Sequence, residues 1–270
     1  MSKIQLISMD LDGTLVNSQG GIDDENLQAL HEAQDRGVLI SVSSGRFAAN
    51  VSVLMRKYDL RGPVSATNGC EILDKPFGQV LFRHLLDDKV ARQAAQMLID
   101  MDADFLTIGP TCTASSRPDG HHHTELGPQK QLYDEIGYHY EHGTDGVWRA
   151  IDEGICKFYV RDNGRLDQMR EMFGKVDGLF VTASGTMNLE LIPQNVDKGT
   201  GIRMIAEKFG IPLDNIMTMG DQENDLPMLT CVGYGVAMGN GTDFVKKSAK
   251  YTTGRCEDCG VAQAVRRFVL

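Results

Sequence analysis

The sequence predicts an α/β protein: a parallel β-sheet core flanked by helices, interrupted by an inserted α+β domain. Three observations predict it. Apolar, strand-like runs alternate with helical stretches in both outer parts of the chain, the pattern of βαβ units with parallel strands. Three of those runs stop abruptly in polar residues. In the middle, roughly a hundred residues break the rhythm, far more than the ordinary βα connection of about 2–6 residues.

The first run, Ile4, Leu6, Ile7 and Met9, ends in Asp10-Leu11-Asp12-Gly13-Thr14. A strand alternates its side chains, so Asp10 and Asp12 can point the same way from its tip, with Leu11 turned into the core. Gly13 then lets the chain bend sharply. Two neighbouring carboxylates on a buried strand end are costly unless a cation sits between them, and hard oxygen ligands suit Mg2+. Residues 23–36 read as a helix capped by Asp23 or Asp24, with Leu27, Leu30 and Ala33 inward and Gly37 as its stop. A β-rich run at 38–42 leads into Ser43-Ser44-Gly45-Arg46, followed by a helix carrying Val51, Leu54 and Met55. The Ser44 hydroxyl and the N–H groups at that helix start can receive an anion. A third short strand, 63–66, runs into Thr67-Asn68-Gly69, whose Asn-Gly pair signals a turn before a hairpin of 71–73 and 80–82.

The rhythm changes at residue 85. A helix is expected at 87–101, strands at 103–108 and 111–116, and an irregular stretch at 117–147 with a helix near 129–136. A strand at 154–160, a helix at 164–173 and strands at 179–183 and 187–192 complete the insert. Domain boundaries follow: residues 1–84 and 190–270 form a discontinuous core, and 85–189 the inserted domain. The core resumes with a helix at 198–209, opened by Lys198 and closed by Gly210, with Ile202, Ile205 and Ala206 inward. The strand at 215–219 then enters Gly220-Asp221-Gln222-Glu223-Asn224-Asp225, and a helix with Leu226, Met228 and Leu229 follows. Strands at 234–238 and 251–253 and a helix at 257–268 end the chain.

Composition excludes some functions. The 270 residues carry a formal net charge of -10 and no basic stripe, which disfavours a nucleic-acid partner. No signal-peptide pattern opens the chain, and no apolar run approaches the length of about 18 residues needed to cross a membrane. Scattered cysteines without an export signal fit reduced thiols in the cytoplasm. Cys256 and Cys259 lack a second Cys pair or a nearby His, so they read as incidental thiols. Three consecutive histidines, His121, His122 and His123, cannot share one face and read as a solvated loop, which could meet substrate if the insert closes over the active site.

Ligands of open α/β sheets bind outside the carboxyl ends of the strands. Asp10 and Asp12, Ser43 and Ser44, Lys198, and Asp221 with Asn224 and Asp225 can therefore converge on one crevice. Several carboxylates with one Lys, two hydroxyls and an Asn suit Mg2+ plus a phosphoryl group. A carboxylate can attack phosphorus once metal and cation screen the repulsion, and a second carboxyl can protonate the departing alkoxide.

Asp10-Leu11-Asp12-Gly13-Thr14-Leu15, Ser44-Gly45-Arg46, Lys198-Gly199 and Gly220-Asp221-Gln222-Glu223-Asn224-Asp225 resemble, in order and spacing, the four motifs of the haloacid dehalogenase superfamily. They resemble in particular its Cof-type phosphatases, bacterial sugar-phosphate phosphatases among them, which implies a Rossmann-like core and an inserted α+β cap domain. The resemblance implies Asp10 as nucleophile and metal ligand, and Asp12 as general acid/base whose main-chain carbonyl touches Mg2+. It implies Asp221 as the remaining metal ligand, Lys198 on the phosphoryl oxygens and the nucleophile, and Asp225 orienting Lys198. The phosphate contacts it implies are the Leu11 N–H, Ser44 with Gly45 and Arg46, and Asn224; Asn68, first a turn residue, is a further candidate contact. Ser44 stands where the family more often has Thr, and both offer a hydroxyl. The expected partner is a small phosphorylated metabolite. Alternatives are a phosphosugar mutase of the same superfamily and a non-catalytic phosphometabolite-binding protein. An insert on two linkers is also expected to hinge and exclude water from the phosphoryl site.

Overall fold

The run that opens the chain becomes β1 (Leu6–Met9), buried along its whole length. In this computed structural model, which describes residues 3–118, 133, 135–161 and 164–270, β1 lies inside an eight-stranded sheet. Its parallel neighbours are β2 (Leu39–Ser43) on one side and β12 (Ile216–Gly220) on the other, with Met9 level with Val42 and Met219. Beyond β2 come β3 (Val64–Ala66), parallel, then β4 (Glu71–Leu73) and β5 (Val80–Arg83), antiparallel. Beyond β12 come β13 (Tyr234–Ala237) and β14 (Tyr251–Thr252), both parallel. The chain thus builds outward from β1 to one side and later to the other. That reversal opens a crevice at the carboxyl ends of β1, β2 and β12.

Both faces of this sheet are covered, which explains the nearly unbroken apolar runs. Adjacent residues point to opposite faces, so Ile7 and Met9 join one cluster and Leu6 another. The first cluster packs against α1 (Asp24–Asp35) through Ala29, Leu30 and Ala33, against α2 (Ala48–Lys57) through Val51 and Met55, and against α9 (Gly260–Phe268) through Val261 and Val265. The second packs Ile202, Ile205 and Ala206 of α6 (Lys198–Phe209) with Met228 and Leu229 of α7 (Leu226–Thr230). α6 starts and stops where the sequence predicts. Asp197 caps it by accepting the Thr200 N–H at 2.7 Å, and Gly210 ends it at φ 65°.

The chain divides into two units, Met1–Arg83 with Val196–Leu270, and His84–Asn195. The second unit has its own six-stranded sheet, in the order β10 (Leu179–Thr182), β11 (Asn188–Pro193), β9 (Lys157–Arg161), β6 (Phe105–Ile108), β7 (Cys112–Ser115) and β8 (His139–His142). Phe105, Phe158, Val160, Leu189 and Leu191 pack on α3 (Asp88–Asp100), α4 (Gly143–Glu153) and α5 (Leu166–Phe173). The same sheet buries an ion pair, Lys157 to Glu190 at 3.0 Å.

Three expectations change here. The boundary set at 189/190 moves to 195/196, because β11 pairs antiparallel with β9 and β10 inside the second unit. The helix α4, within and beyond the stretch read as irregular, forms despite Gly143 and Gly146 in its first turns, because Val147, Ala150 and Ile151 bury together. The last helix begins at Gly260, since Cys259 at φ 55° interrupts it. The helix expected near 129–136 falls largely, and His121, His122 and His123 wholly, outside the described residues. Among the described residues no helix is long and apolar enough to cross a membrane.

Candidate active site

At the tip of β1, the Asp10 N–H donates to the Met219 carbonyl at 3.0 Å, extending the ladder by one residue. The chain then coils tightly, with the Leu11 carbonyl accepting from the N–H groups of Thr14, Leu15 and Val16 at 3.2, 2.9 and 2.7 Å. Gly13 sits at φ 82°, and a Cβ there would lie 2.8 Å from Oδ2 of Asp221. Glycine is therefore required twice, by backbone conformation and by the close carboxylate.

Lys198, first residue of α6, is fully buried and donates to Asp10 Oδ1 at 2.7 Å and to Asp225 Oδ1 at 2.6 Å. Oδ2 of Asp225 accepts the N–H groups of Asp221 and Gln222 at 2.8 and 2.9 Å. Both oxygens of Asp225 are thus engaged in holding Lys198 and the loop that carries Asp221. Asp221 takes the Thr14 hydroxyl on Oδ1 at 2.9 Å and the Gln222 side-chain amide on Oδ2 at 2.8 Å.

A second network joins the loops after β1, β2 and β3. Arg46 clasps the Asp12 carboxylate through Nε at 3.0 Å and a terminal nitrogen at 2.5 Å, and also donates to Asn50 at 3.1 Å. The Asp12 side chain is 62% exposed, whereas Asp10 is buried. Ser44 is buried, its hydroxyl accepting the Arg46 N–H at 3.2 Å. Thr67, Asn68 and Gly69 are three successive residues at positive φ, unusual for a β-branched Thr. They are held by backbone bonds from the Thr67 N–H to the Arg46 carbonyl at 2.9 Å and from the Asn68 N–H to the Ser44 carbonyl at 3.0 Å. The Asn68 side chain accepts from the Asn224 amide at 3.3 Å. Strain of this kind gathers at functional sites. Among the described residues no hydrogen bond engages the N–H of Leu11 or Gly45, which leaves both as donors for an anion.

Every site residue named from the sequence is therefore placed. Asp10, Lys198, Asp221 and Asp225 form one connected cluster; Asp12, Arg46, Ser44, Asn68 and Asn224 form the other. Thr14, Gln222 and Asn240 were not singled out, although all hold Asp221. Asn240 lies three residues beyond the end of β13, whereas Asp10 and Asp221 directly follow β1 and β12.

Burial pushes the Asp10 carboxyl up from 3.8 to about 8, with Asp225 and Asp221 adding repulsion and Lys198 pulling the other way. Burial, then Asp225, pushes Asp221 up to about 6. At Lys198 burial opposes the charge, but Asp10 and Asp225 outweigh it and hold the ammonium above the usual lysine value. Three buried carboxylates thus share one ammonium. Oxygens of Asp10, Asp221 and Asp225 all lie within 4.8 Å of one another. This all-oxygen set, short of positive charge, fits a hard divalent cation such as Mg2+. Asp225 is already committed to Lys198 and the backbone, so Asp10 and Asp221 are the carboxylates with capacity to ligate.

The chain is similar to known phosphatases along nearly its whole length. The 5-amino-6-(5-phospho-D-ribitylamino)uracil phosphatase YcsE of Bacillus subtilis is 32% identical over 267 residues, 99% of this chain and 96% of that protein. A haloacid dehalogenase-like hydrolase from B. subtilis superposes with a TM-score of 0.86 at 25% identity, covering 98% of this chain and 100% of the other. A phosphatase of the haloalkanoate enzyme superfamily from Bacteroides thetaiotaomicron superposes with a TM-score of 0.80 at 22% identity, covering 98% and 95%, a likeness of fold. Residues 7–265 match the family described as haloacid dehalogenase-like hydrolase. With its acidic cluster at the tips of β1 and β12, the chain belongs to the haloacid dehalogenase-like hydrolase family, as a phosphatase.

Proposed function

We propose that this phosphatase hydrolyses small phosphomonoesters, sugar and polyol phosphates foremost, with Mg2+ and through an aspartyl-phosphate on Asp10. The observation that carries the reading is the buried chain Asp10–Lys198–Asp225 with Asp221 beside it. Asp10 Oδ1 is occupied by Lys198, which leaves Oδ2 to attack phosphorus in line with the departing oxygen. Lys198 also screens the equatorial oxygens, with the N–H groups of Leu11 and Gly45, the Ser44 hydroxyl and the Asn224 amide as further donors. Asp12 gives its proton to the leaving alkoxide as the ester bond breaks, then takes one from the water that cleaves the acyl-phosphate. Asp10, Asp221 and the main-chain carbonyl of Asp12 would hold Mg2+. When bound, the ion offsets the negative charge gathered between carboxylate and phosphate. Arg46, assigned to phosphate from the sequence, sits on Asp12 and orients it.

For substrate class the support comes from relatives. YcsE and two further B. subtilis relatives, 26% and 25% identical, are named phosphatases of a ribitylamino-uracil phosphate, a polyol phosphate. We place the enzyme in the cytoplasm, where its six free cysteines would stay reduced. The test is phosphate release from a panel of phosphorylated sugars, polyols, cofactors and nucleotides. Release from sugar and polyol phosphates that stops when Mg2+ is chelated is expected. A metal-replete protein inert on every phosphomonoester would end the reading, and a clear preference for nucleotides would correct the substrate class.

The titration of the acidic cluster adds a second expected result. A carboxyl with a folded-state pKa above its unfolded value favours the folded chain below the unfolded value. That advantage is lost as pH rises through the folded value. With Asp221 at about 6 and Asp10 at about 8, against 3.8 for both unfolded, the window runs from 3.8 to about 8. The melting temperature of metal-free protein should therefore fall between about pH 5 and about pH 9, and Mg2+ should restore it most at the upper end. A metal-free melting curve flat across that range would contradict the crowding of these carboxylates.

A further inference from the structure

Asn240 is joined to three separate parts of the chain by its one side chain. Nδ2 donates to the Gly13 carbonyl at 2.8 Å and lies 3.4 Å from Oδ2 of Asp221. Oδ1 accepts the N–H of Cys256 at 2.8 Å. The loop after β1, the loop after β12 and the turn before α9 therefore meet on a single amide.

The backbone around Asn240 leaves it little freedom. The Gly239 N–H donates to the Gly254 carbonyl, and the Gly241 N–H to that of Met238, both at 2.9 Å. A Cβ at Gly239 would lie 3.0 Å from the Arg255 nitrogen, and one at Gly241 would lie 3.1 Å from the Asp221 carbonyl oxygen. Glycine on each side lets the turn sit directly on two neighbouring backbones, and that contact aims the Asn240 amide. With Oδ1 fixed by Cys256, Nδ2 can only face Gly13 and Asp221.

We infer that Asn240 is a positioning residue for the divalent metal, aligning two of its three protein oxygens at once. The inference rests on the metal reading given above. Asp221 is reached directly. The Asp12 carbonyl is reached through Gly13, whose N–H is bonded to the Val16 carbonyl at 3.2 Å and whose own carbonyl is held by Asn240. With Gly13 fixed at both ends, the peptide between Asp12 and Gly13 cannot rotate, and the Asp12 carbonyl keeps its direction. Asp10 needs no such help, because the β1–β12 ladder and Lys198 already hold it. Groups of this kind, which orient ligands without touching the ion, typically change metal affinity about 10- to 100-fold when removed.

The test is calorimetric titration of Mg2+ into substrate-free wild type, Asn240→Ala and Asn240→Leu, with melting curves of each protein in EDTA. Leu keeps the volume of Asn and loses both hydrogen-bonding ends; Ala loses the volume as well. The expected result is a Kd for Mg2+ raised about 10- to 100-fold in both variants, with metal-free melting temperatures close to wild type. Wild-type affinity in either variant overturns the inference. So does a variant that melts far below wild type without metal and is not recovered by saturating Mg2+, since that assigns Asn240 to the fold alone. A wild-type protein that binds no Mg2+ overturns the metal reading itself, before any variant is compared.

Discussion

Asp10→Asn is expected to lower kcat by about 10⁴-fold or more and to leave the metal-free protein no less stable at pH 8. The two halves of that result come from the same geometry. Asn fills the same space, and its amide oxygen can still accept from Lys198, which sits 2.7 Å from Asp10 Oδ1. What disappears is the second oxygen, the atom placed to attack phosphorus, and an amide nitrogen cannot replace it as a nucleophile. Stability moves the other way because the carboxylate is the crowded group. Burial and two neighbouring carboxylates push its pKa up to about 8, so the ionised form is disfavoured in the fold. A neutral amide removes that cost. Steady-state phosphate release and melting curves in EDTA read the two effects separately. Residual turnover above about one per cent of wild type would take the nucleophile role from Asp10, since removing a nucleophile ordinarily costs far more. A drop of many degrees at pH 8 would instead make its carboxylate a structural group.

The strand tips were legible in the sequence because polarity interrupts an apolar run there. Asp10 follows Met9, and Asp221 follows Gly220, without any transition. The helix that carries Lys198 was legible too, since its cap, its apolar stripe and its glycine stop are all local signals. Pairings across the fold were not. Thr14 meets Asp221 at a separation of 207 residues, and Asn68 meets Asn224 at 156. No local pattern encodes which of several polar turn residues will face each other once the sheet has formed. Asn240 was hidden for a related reason, because Gly-Asn-Gly looks like any turn until its neighbours are known. The boundary at β11 shows the limit of hydropathy. Every residue from Asn188 to Pro193 is buried, so the pattern reveals a strand without revealing which sheet it joins. At α4, tertiary burial of Val147 and Ile151 overrides two early glycines, a result that propensity alone would not give.

Lys198→Met is expected to produce the largest loss of stability of any single change at the site, with loss of turnover alongside. Met keeps most of the aliphatic stem and removes only the ammonium. Its two partners, Asp225 and Asp10, have side-chain exposures of 0% and 10%, so water cannot take over the lost contacts. Breaking a buried ion pair by removing one member costs about 3–5 kcal/mol, because the partner stays behind as an uncompensated charge. Here two partners stay behind, with Asp221 close by. The penalty should be smaller at about pH 5, where a proton can settle on the cluster, and larger at about pH 8. Mg2+ should recover part of it by supplying the missing positive charge. The double variant Lys198→Met with Asp225→Asn separates charge from shape. It removes one stranded carboxylate and should regain much of the stability, while turnover stays lost because nothing screens the attack of Asp10 on a phosphate dianion. Urea unfolding of wild type, single and double variants at the two pH values measures this directly. If the single variant loses less than about 1 kcal/mol, the ammonium is not what holds these carboxylates together. If the double variant recovers nothing, the damage lies in packing around α6 rather than in charge. Only recovery of the fold without recovery of catalysis matches a lysine that both neutralises the resting site and screens the phosphoryl group.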